Sequence, residues 1–171
     1  MRDWNEAWRH APSPARLVPS DFLVERVGGW RPGRALDVAA GAGRHSLYLA
    51  SLGWSVTAVD RSTAAMAWLA AEARGRGCDL TTRVLDLERA PLPAGRFDLV
   101  VVCRYLQRSL FAALEERVGG ALWYETFVSH PTMSPRFLLR PGELWTAFPS
   151  LRVEYCSEEG GLGRLLAWRD R

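Results

Sequence analysis

Three acids stand where short apolar runs end in the first half of the chain. Asp37 lies within Ala35-Leu-Asp-Val-Ala39, Asp60 follows Ser55-Val-Thr-Ala-Val59, and Asp86 follows Leu80 to Leu85. After Asp37 come small residues at five consecutive positions, Ala39-Ala40-Gly41-Ala42-Gly43. Such a run lets the backbone turn tightly. It also lets a ligand approach the main chain and the N-terminus of the next helix. An acid ahead of the glycines suits a ligand with a positive ammonium better than a pyrophosphate. The third glycine of the dinucleotide fingerprint is replaced by Ser46. Asp60, 23 residues after Asp37, can accept both hydroxyls of a ribose diol, or simply cap a helix opening at Ser62. Asp86 can accept from the exocyclic amine of adenine while the Leu87 N–H donates to a ring nitrogen. Standing alone, Asp86 reads as an ordinary turn acid. An ammonium, a ribose and an adenine, met in order at successive strand ends, make a stronger signal than any one of them.

The elements that must position these acids follow from hydrophobic period and punctuation. Strands are expected at 35–39, 55–59, 80–85, 97–103 and 121–128. Helices are expected over 44–52, 63–74, 109–118 and 141–148. Leu99-Val-Val-Val102 reads as buried on both faces, and Gly119-Gly120 as the break after the third of these helices. A closing antiparallel pair, 151–155 with 164–168, is joined through Gly160-Gly161. Ser20-Asp21 opens a further helix that Gly28-Gly29 stops. Ahead of it, Trp4 and Trp8 share one face of a short helix, and Pro12, Pro14 and Pro19 impose an extended connection. Strands alternating with helices predict a doubly wound, mostly parallel α/β sheet, with ligands beyond the carboxyl ends of the strands.

At this point the chain resembles the class I S-adenosylmethionine-dependent methyltransferases, from about Arg34 to Trp168 in element order. A narrower likeness is to the small bacterial methyltransferases of the tellurite-resistance type. It rests on Ala35 to Ala50, on Cys103-Arg-Tyr-Leu-Gln-Arg-Ser-Leu-Phe111, on Tyr124-Glu-Thr-Phe127 and on Phe137-Leu-Leu-Arg-Pro-Gly-Glu-Leu144. The resemblance implies a Rossmann-like, seven-stranded sheet with helices on both faces and a C-terminal antiparallel hairpin. Residues 1–30 would form a helical arm or lid and 31–171 the core domain. It also implies S-adenosylmethionine as the cofactor. Asp37, Gly41 and Gly43 would hold the methionine part, Asp60 the ribose, and Asp86 with Leu87 the adenine. Ala39 stands at the family's first loop glycine, and Arg61 and Cys103 are counted with the donor-binding set.

Methyl transfer from a sulfonium is an in-line displacement that needs an aligned acceptor lone pair and little else. The segment after the fourth strand, Cys103-Arg104-Tyr105-Leu106, lacks the Asn/Asp-Pro-Pro-aromatic pattern of amino methyltransferases. That argues against a nucleobase amine as acceptor. Candidates for the acceptor side are Tyr105 and Glu125 as a base, and Trp4, Trp8, Arg104, Arg108, Phe127 and His130 as substrate contacts. Arg104 and Arg108 can hold an anionic acceptor or pair with Glu115, Glu116 or Glu125 at the surface. Trp4 and Trp8 can cover a sulfonium or pack on the sheet edge. His45, just after the glycine loop, supports that loop. Trp54, Trp68, Trp123, Trp145 and Trp168 fall within strands or helices and read as core.

Composition bounds the rest. The chain has 171 residues, 48% hydrophobic and 24% charged, which fits one globular domain. All 22 of its basic Lys/Arg positions are Arg, and they are dispersed, so no nucleic-acid partner is expected despite the net charge of +3. The longest stretch without Asp, Glu, Lys or Arg, His45 to Val59, is 15 residues, too short for a membrane span. Cys78, Cys103 and Cys156, like His10, His45 and His130, show no metal-ligand spacing. The polar N-terminus lacks a signal peptide's apolar core. The expectation is a cytoplasmic monomer or homodimer acting on a small molecule, without a metal. Two alternatives stay open: an NAD(P)-binding oxidoreductase and a non-catalytic binding module.

Overall fold

The computed structural model describes Glu6 and residues 17–170. Trp4, Trp8 and His10 lie outside the described residues. The chain divides into two compact units, Met1–Ala90 and Pro91–Arg171.

In the first unit, α1 (Asp21–Val27) leads to β1 (Arg34–Val38), α2 (Arg44–Ser51), β2 (Ser55–Asp60), α3 (Thr63–Gly75) and β3 (Leu80–Val84). The strands are parallel in the order β3-β2-β1, with Leu36 opposite Thr57 and Val59 opposite Arg83. Strand β1 stops at Val38 rather than Ala39, because Ala39 turns left-handed at φ +57° and opens the loop. Ser62 caps α3 as expected, its hydroxyl accepting from Ala65 N–H at 3.1 Å. Ser20 starts α1 differently. Its carbonyl accepts from Leu23 and Val24 N–H, and its side chain makes no cap. Leu47, Ala58, Ala65, Met66 and Leu69 form a core between α2, β2 and α3, against which Trp68 packs.

The second unit runs β4 (Phe97–Cys103), a 3-10 turn (Arg108–Leu110), α4 (Phe111–Arg117), β5 (Val118–Phe127), a second 3-10 turn (Pro135–Phe137), α5 (Glu143–Thr146), β6 (Arg152–Glu159) and β7 (Leu162–Trp168). Its strand order is β4-β5-β7-β6, parallel for the first pair and antiparallel thereafter. Leu99 to Val102 is buried, as the apolar run predicts. The fold class is the expected Rossmann-like one, a seven-stranded mixed sheet with helices, closed by an antiparallel hairpin through Gly160 and Gly161.

Two expectations are corrected. Gly119 and Gly120 do not break a helix into a loop; they lie inside β5, which follows α4 directly. The reason is steric: a Cβ on Gly120 would stand 2.4 Å from the Asp98 carbonyl oxygen. Glycine lets β5 approach β4 there. Trp145 is not core, for it is 62% exposed, whereas Trp54 and Trp123 are buried. The expected helix over 141–148 is one turn long, so only Leu144 of that turn reaches the interior. No helix among the described residues is long and apolar enough to cross a membrane.

Candidate functional site

The first unit brings the small-residue loop onto the end of β2. Ala39, Gly41 and Gly43 all have left-handed backbone, at φ +57°, +56° and +75°. Ala39 carries that strain with a Cβ, at a cost of roughly 1–2 kcal/mol. Gly43 could carry none, since a Cβ would stand 2.4 Å from Leu69 Cδ1. The loop is stitched to β2 by Ala40 N–H on the Val59 carbonyl at 3.0 Å. It is held again by Asp60, whose Oδ2 accepts from Gly41 N–H and Oδ1 from Ser62 N–H, each at 2.9 Å. Asp60 therefore ties the loop to the start of α3, and each oxygen keeps a further lone pair for a diol. Leu85 N–H donates to the Asp60 carbonyl at 2.8 Å, drawing the β3 exit to the same place.

Asp37 sits within β1, ahead of the loop, as its pattern suggests. It is 1% exposed, and its Oδ2 accepts from the Ser46 hydroxyl at 2.6 Å. Burial pushes its carboxyl up to about 7, against the opposing pull of the Ser46 bonds and of Arg44. Through its bond to Ser46, Asp37 fastens α2 beneath the loop. Ser46, read from sequence only as a missing glycine, is its partner. His45 Nε2 accepts from Ser20 N–H at 3.2 Å, a bond to the start of α1 and not to the loop it is expected to support. Asp86 lies 3.7 Å from Arg61 and 3.8 Å from Arg89 and accepts from Glu88 N–H at 3.2 Å, while Leu87 beside it is buried.

In the second unit the candidates separate into three groups. Arg104, directly after β4, is left-handed at φ +53°, and its N–H donates to the Glu125 carbonyl at 2.7 Å. Its guanidinium lies over the Phe127 ring, 5.7 Å from the centroid. His130 meets the same ring edge-on at 5.0 Å. A second group centres on the buried Glu125. Glu125 accepts from Arg164 Nε at 2.9 Å, and Cys103 Sγ stands 3.8 Å from its other oxygen. Because β5 and β7 pair Glu125 opposite Arg164, the ion pair follows from register. In the third group, the Tyr105 hydroxyl bonds to Gln107, and the Tyr105 carbonyl accepts from the Tyr124 hydroxyl at 2.7 Å.

Arg108 belongs to none of these. It grips both Glu143 oxygens, at 2.5 and 2.7 Å, and donates to the carbonyls of Arg136 and Leu138. The Glu143 bond raises the Arg108 pKa further. For Glu143, burial acts upward but the bonds from Arg108 and Arg140 win and hold the carboxyl below its usual range. The residue read as a substrate contact is thus a clamp on the segment between β5 and α5. Sequence reasoning missed Glu143 and Arg164. Only strand register, for Arg164, offered a signal. No cluster of three metal-ligating side chains occurs among the described residues.

Residues 35–118 match the family model described as a methyltransferase domain. An uncharacterized protein of Mycobacterium tuberculosis is 39% identical over 86 residues, which is 50% of this chain and 31% of that protein. The match spans about a third of the length of such curated relatives. Among solved structures, TehB from Haemophilus influenzae superposes with a TM-score of 0.74 at 18% identity, covering 98% of this chain and 66% of that one. A SAM-dependent methyltransferase from Aquifex aeolicus gives 0.74 at 17% identity, covering 99% and 100%. At these identities the likeness is one of fold.

Proposed function

We propose, on the match of residues 35–118 to a family model described as a methyltransferase domain, that the chain is a class I S-adenosylmethionine-dependent methyltransferase with a small-molecule acceptor. One observation carries the reading: Asp60 at the end of β2 holds the left-handed loop through Gly41 N–H and the start of α3 through Ser62 N–H. When bound, S-adenosylmethionine supplies a methyl group on a sulfonium for in-line displacement by an acceptor lone pair. The residues present fit that donor. Gly41 would let the loop's main chain come close to a ligand, while Gly43 makes room for Leu69 beneath it. Asp60 would accept from the ribose hydroxyls, and Asp86, with the Leu87 N–H, would hold the adenine. Asp37 and Ser46 keep α2 fixed under the loop so that none of these partners has to be assembled on binding.

On the acceptor side no side chain has to perform chemistry. Positioning accounts for much of such a rate, and a base matters only where the acceptor must lose a proton. The Glu125 carboxylate is held by Arg164. The Tyr105 hydroxyl is held by Gln107. The reading is therefore an acceptor that attacks with a lone pair it already has, on a monomeric or homodimeric cytoplasmic enzyme with no nucleic-acid partner. A calorimetric titration with S-adenosylhomocysteine, run beside one with NAD(H), tests the donor assignment. Saturable binding of the former alone is expected, and its absence defeats the reading. Incubation with labelled donor and pooled small metabolites then reads transfer, with a labelled small product expected.

A further inference from the structure

Arg104 occupies a backbone position that glycine would fill without strain. A non-glycine residue at φ +53° is tolerated where its surroundings hold it, and such positions concentrate at functional sites. Here the Arg104 N–H is pinned to the Glu125 carbonyl at 2.7 Å, which aims the side chain out over Phe127. The ring carries a second polar neighbour, His130, on its edge. His130 Nδ1 accepts from Thr132 N–H at 3.3 Å, so in the neutral ring the proton sits on Nε2 and that nitrogen donates. One apolar ring is thereby flanked by a planar guanidinium fork and an imidazole N–H. The acid attached to the same strand does not neutralise them through Arg104, because the Glu125 carboxylate is engaged by Arg164 and Cys103. Arg108, the other cation of this segment, is held by Glu143.

We propose that Arg104, Phe127 and His130 form the acceptor-recognition site and that it takes a small organic carboxylate. The word acceptor rests on the methyltransferase reading; the carboxylate site itself does not. A guanidinium fork matches a carboxylate bidentately, and His130 Nε2–H adds a donor. Phe127 then gives the hydrocarbon body of the same molecule an apolar surface. A bare inorganic oxyanion would keep its hydration and gain nothing from the ring.

The test titrates the whole chain with benzoate, with benzamide as its neutral isostere and with inorganic phosphate. Binding is read by chemical shifts, with and without S-adenosylhomocysteine. Benzoate is expected to bind at least tenfold more tightly than either control. Arg104→Gly relieves the left-handed strain, so its melting temperature is expected to hold or rise while benzoate binding falls at least tenfold. Arg104→Lys keeps the charge without the fork and is expected to lose several-fold; it decides the matter if the glycine variant does not fold. Equal binding of benzamide and benzoate, tighter binding of phosphate, or unchanged benzoate binding in the Arg104 variants each overturns the proposal. S-adenosylhomocysteine binding without benzoate binding defeats this inference alone, whereas benzoate binding without S-adenosylhomocysteine binding defeats the methyltransferase reading and leaves the carboxylate site standing.

Discussion

The loop of the first unit and the 104–130 cluster of the second are built in opposite ways. The loop is made of main chain: left-handed residues at 39, 41 and 43, fixed by one short acid on two N–H groups. The cluster is made of long side chains laid on one aromatic ring, hung from a single strained residue. Backbone recognition suits a ligand that never varies, since its geometry is set by φ and ψ. Side-chain recognition suits a ligand that differs between relatives, since one substitution changes it without touching the fold.

The contrast can be tested from its strongest consequence downward. Where β5 meets β4 the chain has no tolerance at all, so Gly120→Ala, which sets a Cβ 2.4 Å from the Asp98 carbonyl, is expected to cost about 3 kcal/mol of stability. Chemical denaturation reads this, and a loss under about 1 kcal/mol would mean the strands can part freely. Next comes Asp60→Ala. It strips an acceptor from Gly41 and Ser62 and from the ribose, so S-adenosylhomocysteine affinity is expected to fall about 100-fold with the chain still folded. Unchanged affinity in calorimetry would refute the ribose assignment.

A third test concerns the acid under the loop. Asp37 has a folded pKa raised from 3.8 to about 7. Between those values the folded state keeps a proton that the unfolded state has released, so this residue's contribution to stability falls as pH rises through that window. Asp37→Asn removes that titration. The variant is expected to gain on the parent by up to about 1.4 kcal/mol per pH unit from pH 5 to 7, read by urea unfolding at three pH values. Parallel curves would place Asp37 in a solvated setting. The smallest effect belongs to Arg108→Gln, which breaks the clamp on Glu143. It is expected to cost about 1 kcal/mol with S-adenosylhomocysteine affinity unchanged. A loss of stability under about 0.3 kcal/mol would mean the clamp contributes little to holding this segment.

How much of this was legible in the sequence depended on the range of the interaction. The Phe97–Cys103 strand came out to the residue because a continuous apolar run bounded by a turn has few other homes. The three acids and the glycine loop were visible because they belong to consecutive local units. The Arg108–Glu143 clamp joins residues 35 apart and the Glu125–Arg164 pair residues 39 apart, and nothing local announces either. Gly119-Gly120 misled for another reason. A glycine pair reads the same whether it ends a helix or makes room for a neighbouring strand, and only packing against Asp98 separates the two.

The double grip of Asp60 has a kinetic consequence. A loop already tied to Asp60, which in turn holds the start of α3, does not have to search for its shape when a ligand arrives. Its observed association rate should therefore rise in proportion to ligand concentration, with no plateau set by a slow ordering step. Releasing the grip would convert a fast encounter into a wait for the loop.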